Sequence, residues 1–146
     1  MRDVRANGIR FAVREAVISG ERGLALCLHG FPESSHSWRH LLPTLAELGY
    51  RAWAPDLRGY GDSDKPSRVR DYAIEVLIDD VAGLIAAAGA ARATILAHDW
   101  GAIVAWHVAM RRPDLVERLV LMNVPHPACL QREIWHGRQL PKLWEA

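Results

Sequence analysis

One carboxylate stands at the apex of a strand, a tight turn and a helix in the middle of the chain. The run Thr94–Val104 is apolar up to Ala97, carries Asp99 between His98 and Trp100, and continues after Gly101 as an alanine- and valine-rich helical stretch. Ala97 and Gly101 are small enough for the backbones of the strand and the helix to approach closely. The pattern predicts a nucleophile elbow in which Asp99 occupies the position that usually carries serine.

An aspartate at this position predicts attack by a carboxylate. A serine must lose a proton before it attacks, whereas a carboxyl group with an ordinary pKa near ~3.9 is already ionised at neutral pH. A carboxylate is a suitable nucleophile for an sp³ carbon, and the product is an alkyl ester that water must then cleave at the carbonyl of Asp99. Because aspartate is also a frequent N-cap residue, capping of the helix is the simpler alternative role for Asp99.

Composition restricts the partners and the compartment. The 146 residues are enough for one domain, and a net charge of +1 argues against nucleic acid or an acidic membrane surface as the main partner. No stretch has the length of a membrane-spanning helix, and the N-terminus does not resemble a signal peptide. Cys27 and Cys129 do not form a secreted disulfide framework, which predicts a cytoplasmic protein. The histidines lack metal-ligand spacing, so the sequence predicts neither a metal nor a cofactor.

Strands and helices alternate after an N-terminal hairpin. Asn7-Gly8 is the favoured pair for a two-residue type I′ turn. Strands are predicted at 24–28, 51–55, 94–97 and 119–123, and helices from Ser34 or Ser35 to Leu48, over 72–88, over 100–111 and in one or two short pieces over 129–146. This alternation predicts an α/β fold with a mostly parallel sheet and helices on both faces.

Polar and glycine-rich segments follow each of the predicted parallel strands. These segments are 29–32, 56–63, Asp99 and 123–127. Because ligands of such sheets bind beyond the carboxyl ends of the strands, we expect the chemistry to converge on one edge.

Four motifs within these segments resemble the α/β-hydrolases of the epoxide hydrolase type. They are His-Gly-Phe-Pro-Glu at 29–33, Asp-Leu-Arg-Gly-Tyr-Gly-Asp-Ser at 56–63, His-Asp-Trp-Gly at 98–101 and Asn-Val-Pro-His-Pro at 123–127. Haloalkane and haloacetate dehalogenases are close relatives of that family. The resemblance spans roughly residues 4–127, and it implies a small-molecule substrate, an epoxide or an organohalide.

The resemblance assigns roles to individual residues of these motifs. It implies that Asp99 is the nucleophile and that the backbone N–H groups of Phe31 and Trp100 form the oxyanion hole. His29 is expected to brace the oxyanion loop, in which the bond before Pro32 is often cis in the family. The Trp100 side chain could also line the pocket or, in a dehalogenase, face the leaving halide.

Three further side chains have two interpretations each. Glu33 either hydrogen-bonds a substrate or water or is a solvated loop carboxylate, and His98 and His126 are expected to be structural more often than to act as bases. By their place in the motifs, His29, Pro32, Glu33 and His98 are predicted to lie at the substrate pocket. Asp56 and Arg58 are expected to hold their loop together by an ion pair or hydrogen bonds.

Part of the family's machinery has no counterpart in the sequence. The family supplies an acid and a histidine after the nucleophile, and epoxide hydrolases add cap tyrosines that protonate the epoxide oxygen. Asn123 stands where some relatives carry the acid, and after Pro127 the chain has no Tyr or Asp and only His136 as a later histidine. We therefore expect residues 1–127 to be the N-terminal part of the core and 128–146 the start of a truncated cap, with the C-terminal strands missing.

That interpretation carries physical consequences and leaves alternatives open. The strand at 119–123 is expected to be an uncovered sheet edge, with poor solubility or pairing as the result. An ester on Asp99 is expected to persist without turnover. A dehalogenase using the same nucleophile and a non-catalytic remnant or interaction fragment are the alternatives, and the sequence gives no indication of the oligomeric state.

Overall fold

Six strands form one mixed sheet in a computed structural model of the protein, which describes residues 1–135. The strands are β1 (Arg2–Ala6), β2 (Ile9–Ala16), β3 (Leu24–Leu28), β4 (Arg51–Pro55), β5 (Ala93–His98) and β6 (Val116–Met122). Their order across the sheet is β1-β2-β4-β3-β5-β6. The pairs β1–β2 and β2–β4 are antiparallel, and β4, β3, β5 and β6 run parallel to one another.

The hairpin and the two turns that bound β3 and β4 follow from local sequence. Asn7 and Gly8 have φ of 43° and 77°, the left-handed values that a type I′ turn requires at both positions. A hydrogen bond of 3.1 Å from the Gly23 N–H to the Gly20 carbonyl closes the next turn. Gly49, with φ of 91°, ends the helix that precedes β4. These predictions are confirmed.

Helices cover both faces of the sheet, as predicted. They are α1 (Leu41–Glu47), α2 (Ile74–Ala87), α3 (Trp100–Arg111) and α4 (Pro127–Trp135), with short 3-10 helices at Ser35–Trp38, Val69–Tyr72 and Pro113–Leu115. The larger core lies between the sheet and α2 and α3, and a smaller core lies under α1 on the opposite face. All five residues of β3 are buried, because this strand runs through the middle of the sheet between the two cores.

The first predicted helix is wrong in its extent. One helix was expected from Ser34 or Ser35 to Leu48, whereas the chain forms a 3-10 turn capped by Ser34 and then a separate helix, α1. Pro43 explains the break, because a proline inside a helix lacks the N–H donor and its ring clashes with the carbonyl four residues back. Starting α1 at Leu41 places Pro43 in the first turn, where both problems disappear.

The last strand, β6, lies at the edge of the sheet, as expected. It begins at Val116, three residues earlier than predicted, and Val120 and Met122 are exposed on the side of the sheet that carries α1. Of the predicted tail, α4 is seen, whereas residues 136–146, including His136 and Pro141, lie outside the described residues. The boundary at residue 127 between core and cap stays a prediction. In the part of the chain that the structure describes, no helix is both long and apolar enough to cross a bilayer.

Candidate active site

Asp99 occupies the sharp turn between β5 and α3. Its φ of 50° and ψ of −121° are uncommon for a residue with a side chain, and such strained positions cluster at functional sites. The tight approach depends on Gly101, since a Cβ atom there would lie 2.4 Å from the Leu28 carbonyl oxygen and 2.6 Å from that of His29. Ala97, on the strand side of the turn, is fully buried.

Backbone N–H groups hold the Asp99 carboxylate. The Phe31 N–H donates to Asp99 Oδ1 at 2.9 Å. The N–H groups of Phe31 and Trp100 lower the pKa of Asp99 below its ordinary value, so the group is ionised at neutral pH. The side chain makes no N-cap hydrogen bond to α3. Phe31 lies in the loop after β3 and not in α3, so helix capping alone does not account for the orientation of this carboxylate. The N–H groups of both predicted oxyanion donors act on it.

His29 braces the loop that carries Phe31. Its ring is buried, its Nε2 accepts a hydrogen bond of 3.0 Å from the Leu57 N–H, and its Nδ1 lies 2.8 Å from the Gly30 carbonyl oxygen. Nε2 is thus the acceptor and Nδ1 carries the proton, and burial lowers the pKa of His29 so that the ring stays neutral. The Phe31-Pro32 bond is cis. Gly30 permits the close approach of this loop, because a Cβ there would fall 2.5 Å from the Cβ of Asp99.

Asp56 fixes the loop after β4 by accepting backbone hydrogen bonds. Its Oδ1 accepts from the Ser35 N–H at 2.7 Å and its Oδ2 from the Asp62 N–H at 2.9 Å. Burial alone would raise the pKa of Asp56, but the N–H groups of Asp62 and Ser35 hold it below its ordinary value. Ser63 Oγ donates to the Asp56 carbonyl at 2.6 Å and accepts from the Ala12 N–H at 2.9 Å. The predicted holding of the loop by Asp56 is present.

Arg58 forms an ion pair with Asp80 of α2, so Asp56 and Arg58 each hold the loop through a different partner. Arg58 Nη2 and Nε lie 2.6 Å and 2.7 Å from the two carboxylate oxygens of Asp80, and both side chains are buried. Asn7 Nδ2 also donates to Asp80 at 2.8 Å, so the pair ties the loop, α2 and the hairpin turn together. Sequence reasoning missed Asp80. The one feature of the sequence that could have pointed to Asp80 is its position next to the apolar stripe of a predicted helix.

Glu33, His98 and Asn123 form a polar cluster on the other side of the elbow. Glu33 Oε2 accepts from the Gly30 N–H at 3.1 Å and lies 3.5 Å from His98 Nδ1. The Asn123 amide nitrogen donates to His98 Nε2 at 3.0 Å, which leaves Nδ1 as the protonated nitrogen that faces Glu33. Glu33 therefore holds the oxyanion loop through the Gly30 N–H and faces His98, and is not simply a solvated loop carboxylate. Asn123, with φ of 67°, is a member that sequence reasoning had not assigned to the site.

The predicted site residues come together at the carboxyl ends of β3 and β5. Phe31, Asp99 and Trp100 converge directly, His29 and Pro32 shape the loop, and Glu33 and His98 flank it. His126 lies apart, with its ring edge-on against Trp106 at 4.7 Å. Among residues 1–135, no group of three or more His, Cys, Asp or Glu side chains is arranged to hold a metal ion.

Comparisons with known proteins agree with this geometry. The sequence model of the alpha/beta hydrolase fold matches residues 25–139. Epoxide hydrolase 3 of Xenopus tropicalis is 46% identical over 127 residues, covering 86% of this chain and 34% of that protein. The AB hydrolase superfamily protein YfhM of Bacillus subtilis (strain 168) is 45% identical over 125 residues, covering 85% of this chain and 43% of that protein.

Solved structures give the same result. The crystal structure of the epoxide hydrolase VrEH1 from Vigna radiata superposes with a TM-score of 0.80 at 44% identity, covering 85% of this chain and 38% of that one. A mutant epoxide hydrolase from Bacillus megaterium, complexed with its diol product, superposes with a TM-score of 0.90 at 35% identity, covering 99% and 49% of the two chains. The chain spans less than half the length of these relatives. The resemblance predicted from the four motifs is confirmed, and the chain belongs to the α/β-hydrolase fold family.

Proposed function

We propose that the Asp99 carboxylate opens an epoxide and forms a covalent alkyl ester. One Asp99 oxygen attacks a ring carbon, that carbon's bond to the epoxide oxygen breaks, and the epoxide oxygen keeps the electron pair and takes up a proton from solvent water. The observation that carries the proposal is an ionised carboxylate at a strained apex, with Oδ1 held by the Phe31 N–H. The similarity to proteins named epoxide hydrolase supports the choice of substrate class.

The same hydrogen bonds prepare the second step. Because Phe31 holds Oδ1, Oδ2 is the oxygen that attacks and Oδ1 becomes the carbonyl oxygen of the ester. When water adds to the Asp99 carbonyl carbon, negative charge develops on Oδ1, which already accepts a hydrogen bond from the Phe31 N–H. The Trp100 N–H, which also lowers the pKa of this carboxyl group, is the proposed second donor. Donors preorganised for a developing oxyanion stabilise the transition state strongly.

We further propose that the ester accumulates in the 146-residue chain. Hydrolysis needs a base that takes a proton from water next to the Asp99 carbonyl. The two histidines in the motifs beside Asp99 are engaged: His29 binds Gly30 and Leu57 through its two ring nitrogens, and His98 faces Glu33 and Asn123. Neither is free to act as that base without losing a contact that shapes the site.

A cytoplasmic location also belongs to the proposal. Both cysteines are free, and burial raises the pKa of the Cys27 thiol to about 12, which makes this thiol unreactive. Cys129 is exposed. Quantitative thiol labelling of the protein as it is isolated from cells tests this, since a disulfide through Cys129 would contradict a reducing compartment.

A dehalogenase using the same nucleophile is the second candidate. The observation in its favour is the Trp100 side chain, which is 51% exposed next to Asp99 and could face a leaving halide.

One intact-mass experiment separates these functions. The chain and its Asp99→Asn variant, which keeps the size of the side chain, are incubated in parallel with styrene oxide and with 1-bromohexane. We expect the mass of one styrene oxide to be added to the wild-type chain only, with no diol beyond the uncatalysed rate. Addition of a hexyl group with release of bromide supports the dehalogenase instead. No adduct from either compound supports a non-catalytic interaction fragment, and equal labelling of the variant refutes the role of Asp99.

A further inference from the structure

A pocket of about 200 Å³ lies where the start of α1 passes over β2, on the face of the sheet opposite α2 and α3. We call it the Arg14 pocket. Arg14 and Arg39 stand at it, and its apolar wall consists of Met1, Ala16, Leu42 and Pro43. In the sheet, β2 is separated from β5 by β4 and β3, which places the two strands about 14 Å apart. The pocket is therefore separate from the elbow at the end of β5.

Neutral acceptors hold both guanidinium groups in place. Arg14 Nε donates to Ser35 Oγ at 3.2 Å, and Arg39 Nη1 donates to the His36 carbonyl at 3.1 Å. Ser35 is itself buried and fixed by Asp56. Both Nη groups of Arg14, and Nε and Nη2 of Arg39, have no hydrogen-bond or ion-pair partner among residues 1–135. Two positioned guanidinium groups thus keep donors that match the oxygens of a phosphate.

Further basic side chains surround these two arginines. The charge of Arg39, burial, and the charges of Arg14 and His40 together lower the pKa of His36. Four basic groups therefore lie close enough to repel one another. Such repulsion favours the binding of an anion, because a negative charge placed among them offsets it.

The carboxylate of Glu15 does not neutralise this cluster. Glu15 also lines the pocket, but successive side chains of a strand point to opposite faces of the sheet. Its carboxylate accepts hydrogen bonds from Trp53 Nε1 and Arg51 Nε, both at 2.8 Å, and from Arg2 at 2.9 Å. Trp53 belongs to the larger core on the other face. The negative charge of Glu15 is thus already paired on the side away from Arg14.

We propose that the Arg14 pocket binds the phosphate group of a small, soluble phosphate ester. The free donors of Arg14 and Arg39 hold the phosphate oxygens, and the surrounding positive charge favours a dianion. The apolar wall receives the carbon part of the ester. The volume is several times the ~30 Å³ that a water molecule occupies in the liquid, so a phosphate with a small substituent fits. This site is a second one, and it does not depend on the proposed role of Asp99.

Titration with phenyl phosphate and with inorganic phosphate tests the site, with NMR chemical shifts as the readout. Ionic strength is held constant with sodium chloride. We expect saturable binding of both, at least threefold tighter for phenyl phosphate because of the apolar wall. Arg14→Gln and Arg39→Gln are each expected to weaken phenyl phosphate binding at least tenfold. Arg70→Gln is the matched control, because Arg70 is exposed and does not line the pocket. Circular dichroism of each variant confirms that it is folded.

The His36 ring reports whether the anion sits among the four basic groups. Sulfate is the probe here, because its charge stays constant over the pH range in which histidine titrates. We expect sulfate to raise the pKa of His36 in the wild-type chain, measured by NMR of the ring protons. Arg39→Gln is expected to raise this pKa without sulfate, since it removes the charge that lowers it most, and added sulfate should then have little further effect.

Each contrary outcome overturns a stated part of the proposal. Binding that is not saturable, or that Arg70→Gln weakens as much as Arg14→Gln, shows general attraction of anions and overturns the site. A His36 pKa that sulfate leaves unchanged overturns the placement of the anion. Phenyl phosphate that binds no tighter than inorganic phosphate overturns the ester. Binding to vesicles that contain phosphatidic acid, without binding of phenyl phosphate, overturns the soluble ligand. Asp99→Asn is expected to bind phenyl phosphate as the wild type does, so failure of the proposed function leaves this result unaffected.

Discussion

Replacing Gly101 with alanine tests whether close packing of the elbow holds the carboxylate in place. The new methyl group would stand 2.4 Å from the Leu28 carbonyl oxygen and 2.6 Å from that of His29. Both oxygens belong to backbone at the buried end of β3, in the middle of the sheet. Neither can rotate away as a flexible side chain would, so α3 itself must move.

The magnitude follows from two opposing effects. Overpacking a core costs roughly 1–3 kcal/mol, and a contact with rigid central backbone belongs in the upper part of that range. Alanine is favoured over glycine in a helix by at most about 1 kcal/mol. The net loss is therefore about 1–2 kcal/mol, which lowers the Tm of a chain of this size by roughly 2–8 °C. Because α3 carries the Trp100 N–H, we also expect labelling of Asp99 by styrene oxide to slow at least tenfold.

Gly83→Ala is the matched control for this experiment. Gly83 lies inside α2, where the added methyl group would lie 3.0 Å from the Ala6 Cβ and 3.2 Å from the Asn7 backbone nitrogen, both longer than the 2.4 Å contact at Gly101. Thermal unfolding and intact-mass labelling are measured for both variants. We expect Gly101→Ala to have the lower Tm and the slower labelling of the two. A Gly101→Ala chain that matches the wild type in both measurements would show that close packing of the elbow does not hold the carboxylate.

Two further predictions concern buried and acidic groups. Asp80→Asn leaves the buried Arg58 charge uncompensated and is expected to lower the free energy of unfolding in urea by about 3–5 kcal/mol. Glu75→Gln, which removes one partner of the exposed ion pair with Arg111, is expected to produce no measurable change. Equal effects of the two substitutions would contradict a special cost of breaking the buried pair. Burial raises the pKa of Glu15, but hydrogen bonds from the side chains of Trp53, Arg51 and Arg2 hold it at about 2, below the ordinary value of ~4.3. The ionised Glu15 side chain thus contributes fully to stability above pH ~4.3, and this contribution is lost as the pH falls towards 2. Glu15→Gln should therefore flatten the dependence of the unfolding free energy on pH in this range. An unchanged slope would count against an ionised, hydrogen-bonded Glu15.

Local sequence signals predicted most of the fold that positions the site. The Asn7-Gly8 pair determines a turn because both residues accept positive φ, and uninterrupted apolar runs are typical of buried parallel strands. The placement of Asp99 followed from the small residues Ala97 and Gly101, which reflect a steric requirement at the turn itself. Where one residue and its neighbours determine the conformation, the prediction was correct.

Features that depend on partners distant in the chain were not predicted. The Arg58–Asp80 pair joins a loop to a helix, and the Glu33–His98–Asn123 cluster joins three segments. Spacing along the chain carries no information about such contacts, because packing of the whole sheet decides them.

The central claim is that Asp99 itself becomes alkylated. After the chain is treated with styrene oxide, tandem mass spectrometry of its peptides locates the added group. We expect one adduct on the peptide that contains Asp99, with fragment ions that place it on this carboxylate, and no adduct on the same peptide of Asp99→Asn. An adduct on any other carboxylate, cysteine or histidine with Asp99 unmodified would contradict the role of Asp99 as the nucleophile.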